Sequence, residues 1–113
     1  MTLKTEYGTL VIKPEVIRDI VYKAVSESYG TVDTGKQGFF NKIANLLAKE
    51  EAKGINVEES DRGIFVSVDL VLEYGLPIKK VAENAQENIH HRVTSMLNFQ
   101  DVVVNVHIAG LKS

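Results

Sequence analysis

The sequence predicts an α+β fold. It is a two-layer sandwich of order β-α-(α)-β-β-α-β, with helices on one face of a four-stranded sheet, ferredoxin-like or a related split βαβ arrangement. Three observations predict it. Apolar residues alternate with a period of two over residues 64–73 and 102–108, and they recur at three-and-four spacing after Pro14 and again after Pro77. The turn-rich tetrapeptide Ser60-Asp-Arg-Gly63 separates two strand-like runs.

Each element follows from local pattern. Residues 7–13 read as a short strand with Leu10 and Ile12 on one side. Pro14 suits a first helical position, where its missing N–H costs nothing. Val16, Ile17, Ile20, Val21, Ala24 and Val25 then draw one apolar stripe, with Arg18, Asp19, Lys23 and Glu27 off it, and Tyr29-Gly30 ends the helix. Residues 31–38 carry Asp33, Gly35 and Gly38 and read as an irregular connection. Phe40, Ile43, Leu46 and Leu47 resume helical spacing as far as Gly54, a C-terminal glycine.

Residues 55–59 and 64–73 form a hairpin around Ser60-Asp-Arg-Gly63. Ile64, Val66, Val68, Leu70 and Leu72 make an unbroken apolar face, while Phe65, Ser67, Asp69, Val71 and Glu73 make a mixed one. That pattern suits a sheet covered by helices on one side and partly wet on the other. Tyr74-Gly75-Leu76 breaks the strand and Pro77 opens the last helix. Its stripe is Ile78, Val81, Ala82, Ala85, Ile89, Val93, Met96 and Leu97, and Asn98 stops it. Val102, Val104, Val106 and Ile108 alternate with Val103, Asn105 and His107 in a final strand, with Gly110 ending the ordered part.

Composition narrows the function classes. The chain has 113 residues, 44% hydrophobic and 25% charged, with two prolines, which is the balance of one ordinary globular domain. Thirteen basic residues against fifteen acidic ones give a net charge of −2, which argues against a duplex-DNA binder. The absence of cysteine removes disulfides, thiolate metal sites and cysteine nucleophiles, and fits a reducing cytosol. No apolar run approaches the roughly 20 residues of a membrane span, so a soluble protein is expected.

Chemical motifs are near misses. Gly30 to Gln37 resembles a phosphate-binding loop through Gly30, Gly35 and Lys36, but Gln37 lacks the hydroxyl that ligates magnesium, and the motif follows a helix rather than a strand. Arg62-Gly-Ile-Phe65 and the valines after it resemble the third strand of an RNA-recognition domain. One residue of that octamer is missing, and Leu10-Val-Ile12 offers no second aromatic. His90 and His91 diverge by about 100° on a helix. Glu87 and His91, four apart, can share an ion, but no third ligand accompanies them. Glu50-Glu51 and Glu58-Glu59 read as solvated charge, and no catalytic residue is expected. What remains is surface. If the two longest strands share a sheet, Phe65, Val71 and Val103, with His107, lie on the face opposite the helices and form the candidate interaction surface.

The order of these residues resembles a known family. Glu73-Tyr-Gly75, Ile78, Val81-Ala82, Gln86-Glu87 and Ile89, then Val103-Val-Asn-Val-His-Ile108, are similar to the alkaline-shock protein family of bacterial envelope stress-response proteins. Gly8 to Ile12 and Pro14-Glu-Val-Ile17 resemble that family's opening. The resemblance implies one such domain over residues 1–113, cytoplasmic, with no known enzymatic activity and no cofactor or metal. It implies a role in cell-envelope homeostasis through self-association or a membrane-embedded protein partner that holds the protein peripherally at the membrane; some members are linked to fatty-acid metabolism. The residues leave two alternatives to an interaction protein. One is an RNA-binding module using Phe65 and Arg62 on the outer sheet face. The other is a small metal- or ligand-sensing domain using Glu87 and His91.

Overall fold

The computed structural model describes residues 1–30 and 54–113. The expected loop over residues 31–38, with its phosphate-loop resemblance beyond Gly30, and the expected second helix lie outside the described residues. Within them the order is β1 (Thr2–Thr5), β2 (Gly8–Val11), α1 (Pro14–Gly30), β3 (Ile55–Ser60), β4 (Gly63–Glu73), α2 (Ile78–Leu97) and β5 (Val102–Lys112).

The fold class holds as α+β, but the sheet is not the four-stranded one expected. β3, β4 and β5 form a three-stranded sheet in that order, and β1 pairs only with β2 in a separate two-stranded ladder. β3 runs antiparallel to β4, and β5 runs parallel to it. A split βαβ arrangement needs a strand between its two parallel strands. Here β4 and β5 are hydrogen-bonded neighbours, so β4-α2-β5 is an unsplit βαβ unit. The run read as a single first strand instead contains the second half of a hairpin. Thr2 to Thr5 supplies the other half, in register Thr2 with Val11 and Thr5 with Gly8. The Thr5 hydroxyl accepts the Tyr7 N–H at 3.1 Å and so stabilises the turn.

β4 is the middle strand, and its apolar face is the floor of the core. Ile64, Val66, Val68, Leu70 and Leu72 are all buried there. Ile17, Ile20, Val21, Ala24 and Val25 of α1 and Ala85, Ile89, Val93 and Leu97 of α2 pack onto them. Burying these aliphatic side chains supplies most of the fold's driving force. An ion pair from Arg92 to Glu27 links the two helices above the core.

Three stripe residues depart from expectation. Val16, Ile78 and Met96 lie on apolar stripes yet are exposed, while Ile17 beside Val16 and Leu97 beside Met96 are buried. Thr94, outside the expected stripe, is buried. Its hydroxyl donates to the His90 carbonyl at 2.8 Å, which removes the cost of burying it. Asn98 ends α2 in the left-handed conformation at φ 50°, as its stop role requires. β5 continues past Gly110 to Lys112, because a register shift opposite Leu70 and Val71 absorbs Ala109 and lets pairing resume.

Ser26 is buried, and its Oγ has no hydrogen-bond partner among the described residues. Leaving a hydroxyl unpaired in the core costs more than omitting it. Ser26→Ala is therefore expected to leave stability unchanged or raise it by about 1 kcal/mol. Urea denaturation reads this directly, and a loss of similar size would show that the hydroxyl is satisfied.

Candidate interaction surface on the open face of the sheet

The two long strands share one sheet, so the condition for the candidate surface is met. Register fixes which side chains meet. Phe65 lies beside Val103 on β5 and Glu58 on β3. Ser67 lies between Asn105 and Asn56, and Asp69 lies beside His107. Val71 follows after the bulge, where its β5 neighbour is Gly110 and offers no side chain. All of these lie on the face opposite α1 and α2, since the alternate residues of β4 are the buried ones.

The face is therefore banded. An apolar pair, Phe65 and Val103, sits at one end and Val71 at the other. Between them run a band of amide and hydroxyl groups and then the Asp69–His107 pair. Val103 is 47% exposed and His107 is exposed, while Phe65 and Val71 are half-buried. Neighbouring side chains in register on paired strands stand close enough to act together. Such a mixed strip fits a protein partner that supplies both apolar cover and hydrogen bonds. The sequence pointed to Phe65, Val71, Val103 and His107 individually. Ser67 and Asn105 share that face by alternation, whereas Glu58 and Asn56 join it only through the pairing register of β3 with β4, which alternation within one strand does not reveal.

The other candidates are dispersed. Glu87, His90 and His91 are exposed on α2, and among the described residues no three His, Asp or Glu side chains are grouped to hold a metal ion. Arg62 is exposed at the tip of the β3–β4 turn, where its N–H donates to Ser60 Oγ at 3.1 Å. The first strand, which would have flanked Phe65 in an RNA-recognition sheet, is not part of that sheet. A cleft of about 250 Å³ lies where the β1–β2 hairpin meets the body, lined by Met1, Leu3, Glu59, Asp61, Ile64 and Phe99 among others. Among the described residues, no helix is long and apolar enough to cross a membrane.

Fold and surface together define a small two-layer α+β protein with one sheet face uncovered by any described element. The chain belongs to the alkaline-shock protein family, described as having a cell envelope-related function, whose model matches residues 2–113. It is 34% identical to "Uncharacterized protein Spy1614" of Streptococcus pyogenes serotype M6 over 99% of this chain and 96% of that protein. It is 33% identical to "Uncharacterized protein YqhY" of Bacillus subtilis over 96% of this chain and 80% of that protein. A more distant relative, "Stress response regulator gls24 homolog" of Streptococcus pyogenes serotype M3, is 26% identical over 94% of this chain and 60% of that protein. No solved structure matches the chain. The resemblance read from residues 73–108 is thus upheld at the level of family.

Proposed function

We propose that this chain is a non-enzymatic interaction protein of cell-envelope homeostasis. It acts as a scaffold through self-association or through a membrane-linked partner, and the open sheet face makes the contact. In this reading the protein is cytoplasmic and reaches the membrane through its partner. One observation carries it: Phe65 and Val103 stand side by side, partly exposed, on a sheet face that no described element covers. Adjacent apolar groups left in water on one strip of a globular fold favour contact with another protein surface. The family's cell envelope-related description supports the cellular setting.

Phe65→Asp places a charge at the centre of the apolar pair. It is expected to abolish association while the domain stays folded, because Phe65 lies outside the core that α1 and α2 cover. Sedimentation velocity together with partner capture checks this. Unchanged oligomer size and unchanged capture would remove the surface assignment.

A further inference from the structure

The β1–β2 hairpin is rooted in the body, and no other described strand pairs with it. At its base the Ile12 N–H donates to the Met1 carbonyl and the Met1 amino group donates to the Ile12 carbonyl, each at 2.7 Å. Both residues pack against the core. Leu3 and Leu10 face each other across the ladder on the same side as Met1 and Ile12, extending that apolar side outward. There Leu10 is 46% exposed, and Tyr7 at the tip is 92% exposed. A two-stranded hairpin standing alone in water is marginal, and a further strand stabilises it.

The same chain carries such a strand. β5 is an edge of its sheet among the described residues. Its odd-numbered residues face β4 before the bulge, since the Ile64 N–H donates to the Asp101 carbonyl at 2.8 Å. Its even-numbered residues therefore point their backbone groups outward. Gln86 Nε2, reaching from α2, donates to the Val104 carbonyl at 3.2 Å. By the same alternation Val106 and Ile108 turn their N–H and C=O groups to that edge, where no described strand pairs with them. Natural edges are usually blunted by lysine, proline or a bulge. Residues 102–108 contain no lysine or proline, and the bulge comes only after them.

Arm and edge do not meet within one chain. The arm is rooted at Glu59 on β3, 2.9 Å from the Met1 amino group, on the opposite edge of the sheet from β5. We propose that the β1–β2 hairpin of one copy adds to the free edge of β5 in a second copy. Backbone hydrogen bonds from Val106 and Ile108 complete the hairpin's ladder, while Leu10 and Tyr7 gain cover. This contact uses neither Phe65 nor Val103, so it stands or falls separately from the sheet face.

The test is sedimentation velocity across a concentration series of the full chain, with two variants confirmed as folded by circular dichroism. Leu10→Glu damages the arm, and Val106→Pro removes an edge N–H without losing a bond to β4. Each is expected to weaken self-association by about tenfold or more. Mixing the two restores a pair, because one chain keeps its edge and the other its arm. Should Val106→Pro not fold, amide exchange decides instead. The Val106 and Ile108 N–H groups are then expected to exchange about tenfold more slowly in concentrated wild-type protein than in Leu10→Glu. Wild-type-like association of Leu10→Glu, a wild-type chain that stays monomeric throughout, or equal exchange at those two amides would overturn the proposal. Loss of self-association in Phe65→Asp with Leu10→Glu unaffected would also overturn it, while leaving the sheet-face reading intact.

Discussion

Gly63→Ala is expected to destabilise the protein by about 3 kcal/mol or more, one of the largest single-residue effects outside the core. Gly63 has φ +131°, a conformation that side chains rarely adopt. A Cβ there would lie 2.2 Å from the Asp101 carbonyl oxygen and 2.8 Å from the Asp101 Cβ. That oxygen accepts the Ile64 N–H and so opens the β4–β5 ladder. Relieving the clash moves the start of β5 off β4 and breaks the first parallel bond, with Val102 lifted out of the core. Gly75→Ala is the control. Its φ of +103° is also unfavourable, but nothing lies within 4 Å of the added Cβ. Strain alone predicts a loss of about 1 kcal/mol there. Urea denaturation of the two variants separates the contributions, and equal losses would show that the close approach to Asp101 does not matter.

Leu70→Ala is the second large effect, expected at about 2–5 kcal/mol. Leu70 is 1% exposed on the middle strand and belongs to the core cluster that residues of both helices join, so truncation leaves a cavity there. Its sheet-face neighbour on the same strand gives the contrast. Val71→Ala points away from the helices and is expected to cost about 1 kcal/mol or less. The pair measures which face of β4 holds the fold and which is free for contact. Similar losses at both positions would mean that the outer face is also a packed layer.

The parts of this fold set by local pattern were legible in the residues. Alternation through Ile64 to Leu72 identified the core face of β4, and Ser60-Asp-Arg-Gly63 located its hairpin with β3. Pro77 and Asn98 bracketed α2. What failed depended on partners far along the chain. Nothing between residues 7 and 13 says whether that run joins the main sheet or pairs with residues 2–5. Gly8, read as lying within a strand that starts at Tyr7, is where the chain leaves the turn after Glu6-Tyr7. The parallel pairing of β4 with β5 is likewise non-local, and element order alone does not separate a split βαβ unit from an unsplit one. Val16, Ile78 and Met96 show the limit of periodicity: a stripe marks direction around a helix but not the burial of each residue along it.

The candidate surface was half legible. Phe65, Val71, Val103 and His107 were assigned their face by alternation, and the shared sheet brings them together. Their grouping into bands, with Asp69 beside His107 and Glu58 beside Phe65, required the register. The cell envelope is not legible in physical terms at all. It enters through the family, because no residue pattern here chemically specifies a membrane or a membrane protein.

The most direct measurement is capture from the native host by tagged wild-type protein and by Phe65→Asp under mild crosslinking, with membrane and soluble fractions compared. The proposed function predicts that the wild type recovers further copies of itself or an envelope-associated protein, and that Phe65→Asp, equally folded and abundant, loses the same species. Identical recovery by both proteins, or recovery dominated by RNA that survives nuclease controls, would contradict it.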